Sequence, residues 1–252
     1  MKIAVYTANF GGKDELLTPL NYVDGSDISF YLFTDTDISV FPYKTIIKPL
    51  IFKDISKNAF YYKHMGDPLL KAYDVLIWHD SNIQLVFDKL PNLIELAENS
   101  FLTMYVHPDR DDFYSEAMTS IRINKDFSLR ILRQALIYFF NGMPAHFGMY
   151  ASGILIKNQN IDSGNFYPFW WEQTLKYSRR DQLSIVYVIH KTGQKIKSIK
   201  GNVFKNIYSI YHSHKYDYYI ESRDIMRYNY SILKKLAFFG VKLLRKLRKI
   251  MQ

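Results

Sequence analysis

Four apolar residues, Val75-Leu76-Ile77-Trp78, run without transition into His79-Asp80-Ser81-Asn82. A short continuous apolar run reads as a strand buried on both faces, as in a sheet covered by helices on either side. Asp80 and Asn82 then stand at the carboxyl end of that strand. In open α/β sheets, ligands bind outside the carboxyl ends of the strands. A hard divalent cation such as Mg2+ or Mn2+ prefers oxygen donors of this kind and can bridge them to a diphosphate. Asp-Ser-Asn is equally a turn sequence, so the strand end alone leaves both readings open.

The rest of the chain supplies partners for such a strand. Residues 2–9, 28–34 and 44–50 read as strands. A helical stretch over 56–72 follows, with Ser56 as its cap and a break at Gly66-Asp67-Pro68. A helix over 88–99 carries Pro91 in its first turn. Residues 101–107 form another apolar strand, 111–141 are largely helical and 150–157 are strand-like. Helices are expected over 166–177 and 181–190, while 199–219 is rich in Tyr and His with weak periodicity. Strands alternating with helices predict an α/β fold: a mainly parallel, Rossmann-like sheet with helices on both faces. The expected division is one domain over 1–230 and a basic amphipathic helix over 231–252. A length of 252 residues and a hydrophobic share of 48% suffice for one such core.

There is no cysteine, which excludes disulfides, thiolate metal sites and cysteine nucleophiles and is compatible with a reducing cytosol. The amino terminus lacks the pattern of a signal peptide. No apolar run reaches the roughly 20 residues of a membrane span. The net charge of +9 suggests a nucleic-acid binder until it is located. Lys234, Lys235, Lys242, Arg245, Lys246, Arg248 and Lys249 lie in the last 22 residues without an acidic neighbour; elsewhere 26 basic residues face 24 acidic ones. The nearly neutral body argues against nucleic acid.

Several other constellations suit chemistry. His212-Ser213-His214 offers imidazoles for a metal or a phosphate; a surface pair is the plain alternative. In Arg179-Arg180-Asp181-Gln182, Asp181 stands at a helix start, where it caps the helix or serves as a general base toward a hydroxyl. His107, Arg110 and Glu116 follow a strand and belong on its carboxyl edge. Trp170 and Trp171 suit sugar stacking or the core. Gly11-Gly12 after the first strand permits close approach of a nucleotide, although no phosphate-loop motif is present. Lys63 precedes the Asp80 strand and could reach a phosphate or remain on a solvated helix face.

The order of these motifs resembles a known family. IAVYTANFGG, FYLFTD, Lys63 before IWHDSNI, HPDR with Glu116, Gly142-Met143-Pro144, Phe169-Trp170-Trp171 and RRDQLSIVYVI follow one another as in the DUF616 family of glycosyltransferase-like domains. The resemblance spans roughly residues 2–215 and implies a GT-A type nucleotide-sugar transferase fold. It implies a divalent metal, Mn2+ or Mg2+, held by Asp80 and Asn82 with His212 or His214. Thr7, Ala8, Asn9, Gly11, Asp35, Lys63, Asp80 and Ser81 would face the donor nucleotide, which is expected to be UDP-linked. His107, Arg110, Glu116, Trp170, Trp171 and Gln182 would face the acceptor, with Asp181 as the catalytic carboxylate. The expected reaction is sugar transfer to a saccharide or lipid-linked saccharide in surface polysaccharide synthesis. A non-catalytic carbohydrate-binding or scaffold protein is one alternative, because Asn82 replaces the second Asp of the usual motif. A metal-dependent nucleotidyl or phosphodiester transferase is another.

Residues 231–252 place Leu233, Leu236, Phe239 or Gly240, Leu243, Leu244, Leu247 and Met251 on one helical face with cations around them. Such a helix suits an anionic membrane surface, about 1 kcal/mol per basic residue, and implies a cytoplasmic protein attached peripherally to the inner face of the membrane. Packing on its own domain or on a second subunit is the alternative.

Overall fold

The computed structural model describes residues 1–214 and 232–252. The boundary drawn at 230 and the part of the Tyr/His-rich segment from 215 to 219 lie outside the described residues. The described chain forms two compact units. The first holds Met1–Pro108, Ala151–Pro168 and the chain from Lys195 to His214. The second holds Asp109–Tyr150, Phe169–Gln194 and the C-terminal helix.

The strand alternation is realised as a seven-stranded sheet in the first unit. Its strands are β1 (Ile3–Asn9), β2 (Ile28–Thr34), β3 (Lys44–Ile47), β4 (Val75–His79), β6 (Leu102–Val106), β7 (Tyr150–Asn158) and β8 (Lys197–Ile199), in the order β3-β2-β1-β4-β7-β6-β8. β3, β2, β1 and β4 are mutually parallel, as are β6 and β8, while β7 runs antiparallel to β4. The α/β class with a mainly parallel sheet is therefore observed. β3 stops short of the expected residue 50 because Pro49 has no N–H for the ladder.

Period-two alternation assigns the side chains to two cores. Val5, Phe30, Leu32, Val75 and Ile77 join Leu90, Leu93 and Ile94 of α2 (Leu90–Glu95) on one face. Tyr6, Phe33 and Trp78 point the other way. There Phe33 stacks at 4.7 Å on Tyr62 of α1 (Ile55–Met65), and Tyr6 meets Trp78 edge-on at 5.3 Å. α1 begins one residue earlier than the sequence suggests, because the Asp54 carboxylate accepts the Ser56 N–H and takes the capping role. Its continuation to residue 72 is a separate short 3-10 helix, Pro68–Ala72, capped by Asp67. Two further strands, β5 (Ile83–Leu85) and β9 (Ser209–Tyr211), pair antiparallel in a ribbon of their own.

The second unit consists of α3 (Phe113–Arg122), α4 (Ser128–Phe140), most of α5 (Phe166–Lys176), α6 (Asp181–Thr192) and α7 (Ile232–Met251). α7 packs against α3 and α4. Among described residues no helix is long and apolar enough to cross a membrane.

Lys157, buried in the strand β7, donates to the carbonyl oxygens of Lys63 and, at 3.2 Å, His64, at the C-terminal end of α1. Those carbonyls lack helical partners and carry the negative end of the helix dipole. Burial, reinforced by the charge of Lys63, pulls the Lys157 pKa down to about 7. Between that value and the ordinary lysine value, the unfolded chain binds more protons than the folded one, so stability rises with pH. The unfolding free energy is expected to gain about 2 kcal/mol between about pH 7.5 and about pH 9. Denaturant titrations at both pH values check this, and Lys157→Met should remove the gain.

Candidate functional site

At the carboxyl end of β4, one carboxylate oxygen of Asp80 takes two bonds. Asp80 Oδ1 accepts from Trp78 Nε1 at 2.9 Å and from Lys63 Nζ at 3.3 Å. The Lys63 side chain is only 1% exposed, whereas that of Asp80 is 39% exposed. The buried ammonium thus fixes one oxygen of the carboxylate while the side chain as a whole stays partly exposed. Beneath it, the Asp80 N–H donates to the Gly153 carbonyl at 2.8 Å. A side chain at Gly153 would sit 2.8 Å from Ile83 Cδ1 and 3.7 Å from Asp80 Oδ2, so glycine lets β7 pass close here without displacing the Ile83 side chain.

His79, the last residue of β4, is fully buried. Its ring bonds Tyr43 Oη at 3.0 Å and the Asp80 carbonyl at 3.1 Å. Burial lowers its pKa to about 4 against the opposing pull of backbone bonds, which leaves it neutral and makes it a peg beneath the site.

The loop after β1 reaches the same edge. Asn9 brackets it, donating to the Asp14 carbonyl at 2.7 Å and accepting from the Asp14 N–H at 3.3 Å. Asp35, at the end of β2, accepts the Gly11 N–H at 2.8 Å, and Gly11 has a positive φ of 65° that favours glycine. Thr7 and Ala8 are buried in β1. The Asp14 carboxylate accepts from the Ser81 hydroxyl at 2.7 Å and pairs with His214 Nδ1 at 2.7 Å. Burial raises the pKa of Asp14, but the hydrogen bond and charge of His214 and the Ser81 hydroxyl outweigh this and hold it below the usual carboxylate value.

The two histidines have different roles. His212 is tied in by its backbone: its N–H donates to the Asn82 carbonyl and its carbonyl accepts from Asn82 Nδ2, both at 2.9 Å. Its ring turns to Gln84 Oε1 at 3.1 Å. His214 has the carboxylate-backed ring typical of metal-ligating histidines, whose second nitrogen faces the metal. No group of three or more His, Asp or Glu side chains arranged to hold a metal exists among described residues. The donors do fit a metal that arrives with a diphosphate, since Mg2+ is usually held by one or two carboxylates plus substrate phosphates. Asp80 supplies such a carboxylate, and an anionic diphosphate beside it would need an intervening cation.

Asp14 is the residue that sequence reasoning missed. The signal was present: the carboxyl-edge rule that singled out Asp80 applies equally to the loop after β1.

The chain bearing these residues matches a known family over more than half its length. The profile of the TOD1/MUCI70, glycosyltransferase-like domain matches residues 38–215. The chain belongs to this family, which is the DUF616 family. A search of curated proteins found no match. The family match includes Asp80, Asn82 and both histidines, while Asp14 and the β1 loop lie before its start.

Expected acceptor-side residues of this glycosyltransferase-like chain fall in both units. His107 is partly buried in the first. In the second, Arg110, Glu116 and Gln182 come together around Arg180. Glu116, 3% exposed, pairs with Arg110 Nε, lies 3.7 Å from Arg180 and accepts from Ser120 at 3.3 Å. Arg180 also donates to Gln182 Oε1. Asp181 is the first residue of α6, with Arg180 in the capping position. It is buried, and its carboxylate accepts the Gln182 N–H at 2.9 Å. Trp170 and Trp171 are both buried, and the Trp170 indole donates to the Asp181 carbonyl at 3.0 Å. Their rings belong to the packing of this unit and are not presented as open platforms.

A cavity of about 460 Å3 opens near the other end of β4, lined by Tyr61, His64, Asp67, Lys71, Lys157 and Asp162 among others. Lys157 pairs with Leu76 and His79 with Ile154, so the cavity flanks the strand's start. The rule that open α/β sheets bind ligands at the carboxyl ends of their strands favours the Asp80 end as the candidate site.

Asn82→Ala removes the amide that holds the His212 carbonyl. It is expected to cost about 1–2 kcal/mol in stability. Hydrogen exchange should accelerate at residues 83–85 and 209–211 and not in β1 or β4.

Proposed function

We propose that this chain is a GT-A type glycosyltransferase whose donor site is the Asp80 strand end. The observation that carries the reading is the half-exposed Asp80 carboxylate, held by a buried lysine and an indole at a parallel strand's carboxyl end, in a chain of glycosyltransferase-like family. The donor is a nucleotide sugar, UDP-linked, and the acceptor a saccharide or lipid-linked saccharide of surface polysaccharide synthesis. Asp80, with Asn82 and His214, would hold a divalent metal against the diphosphate, and that metal supplies positive charge to the departing nucleotide. Asp14 positions the His214 ring. Lys63 keeps the carboxylate in place and adds a second positive charge near the phosphates. Asp181 is assigned to the acceptor hydroxyl, with Arg110, Glu116 and Gln182 as acceptor contacts.

Calorimetric titration with UDP, with and without Mn2+, tests the donor site. Metal-dependent binding is expected, about 100-fold weaker in Asp80→Ala, where a tenfold loss corresponds to about 1.4 kcal/mol. Unchanged binding by that variant, or no metal-dependent binding by the parent, overturns the reading. Asp14→Asn is expected to weaken Mn2+ affinity by about 10–100-fold, the usual effect of removing a carboxylate behind a ligating histidine, while leaving metal-free UDP binding unchanged. Transfer assays with Asp181→Asn should show lost turnover with retained UDP binding. A donor bound but neither hydrolysed nor transferred would favour the carbohydrate-binding alternative, to which the single carboxylate at the strand end lends weight. Turnover of nucleoside triphosphates instead would favour the nucleotidyl transferase.

A further inference from the structure

The helix α7 carries two apolar stripes and the fold covers one of them. Ala237, Val241 and Leu244 are buried, and Gly240 lets Leu132 of α4 approach so closely that a Cβ would lie 2.8 Å from Leu132 Cδ1. Polar latches fasten the same side. Arg245 Nε donates to the buried Asp112 carboxylate at 2.6 Å, Lys234 to the Arg122 carbonyl at 3.0 Å and to Asn124 at 2.7 Å, and Arg248 to the Phe139 carbonyl. These contacts hold the helix in one rotation about its axis.

That rotation leaves the second stripe bare. Ile232, Leu236, Phe239, Leu243, Leu247 and Ile250 recur at three- and four-residue spacing and are each 40–72% exposed. At 3.6 residues per turn they lie roughly 130° round the helix from the buried stripe. Lys235, Lys242, Lys246 and Lys249 are exposed and border the bare stripe along one side. The three cations used as latches are the less exposed ones, so the helix's basic residues divide between fastening it and facing outward. The helix has no acidic residue.

We propose that this bare stripe docks the protein on an anionic lipid surface, with α7 lying parallel to the membrane plane and still packed on α3 and α4. An interface of acyl chains and anionic headgroups suits both features: the stripe buries into the boundary and the lysines meet the phosphates. A second copy of this chain is the poorer occupant, because antiparallel two-fold pairing through the same stripe sets lysines against lysines, and parallel pairing leaves them without a counter-charge on this acid-free helix. The amphipathic pattern alone assigned Leu244 to the lipid-facing side; the structure gives it to the protein and puts Ile232 and Ile250 on the docking face.

Vesicle flotation with the full chain tests this, using phosphatidylcholine vesicles with and without phosphatidylglycerol. Flotation with the anionic vesicles is expected, weakening as salt rises. Lys242→Glu/Lys246→Glu should lower the apparent partition coefficient by about 30-fold or more, and Leu236→Ser/Leu243→Ser by a similar factor. All four side chains are exposed, so unchanged thermal unfolding should accompany the loss. Asp80→Ala should float like the parent, which separates this test from that of the donor site. Absent flotation, equal flotation with neutral vesicles, unchanged flotation of either double variant, or a dimer in light scattering that the leucine variant dissolves would each overturn the proposal.

Discussion

A buried ammonium needs a counter-charge, and at the end of β4 that need sets the geometry of the site. Lys63 is almost wholly enclosed, with its nitrogen near the rings of Phe60 and Trp78. Leaving such a charge unpaired would cost several kcal/mol. Asp80 supplies the partner, and the Trp78 indole binds the same oxygen. The carboxylate therefore cannot rotate freely, although its side chain stays 39% exposed. Lys157 shows the contrast: it is also enclosed, its bonds go to backbone carbonyls, and its pKa falls toward neutrality.

The strand end was legible because local rules agreed on it: a continuous apolar run, an abrupt polar stop and the carboxyl-edge rule. The sheet class and the helices α3, α4, α6 and α7 were legible for the same reason, since their periodicity extends over ten or more residues. What brings His212 and His214 to this edge was not. The β5–β9 ribbon has only three residues on each strand, too few for periodicity to register. It pairs residues 124 to 128 positions apart, and that separation has no trace in a single sequence. The Asp14–His214 link crosses 200 positions and was hidden in the same way. The antiparallel setting of β7 is also a tertiary choice. Its sequence, Tyr150-Ala-Ser-Gly-Ile-Leu-Ile, gives a strand in either direction.

The tryptophans and Asp181 show the limit of motif reasoning in a chain rich in aromatic residues. Trp170 and Asp181 are joined by an indole-to-carbonyl bond within a packed helical unit. A buried indole needs an acceptor, and the first turn of α6 supplies one. The sequence pattern of Trp-Trp followed by Arg-Arg-Asp-Gln is explained in part by packing, whatever Asp181 does beyond it. The Arg110–Glu116–Arg180 cluster differs: its carboxylate is enclosed while both arginine side chains keep about a quarter of their surface exposed.

The amide at Asn82 has a different meaning in the folded chain. Read as a variant of an Asp-x-Asp pair, it looked like a weakened ligand. In the structure its Nδ2 donates to the His212 carbonyl while the His212 N–H returns to the Asn82 carbonyl. A carboxylate could not make the first bond and would set two acceptors against each other at a buried position, where an unmade hydrogen bond costs most. Asparagine is therefore the residue that this closure requires. The donor half of the amide is spent on the clamp, which fixes the plane of the side-chain amide. The clamp also anchors the segment that ends in His214, two residues on, where Asp14 holds the ring. Asn82 and Asp14 thus fasten the His212–His214 segment from two sides, one through its backbone and one through a ring, across 130 and 200 positions of sequence.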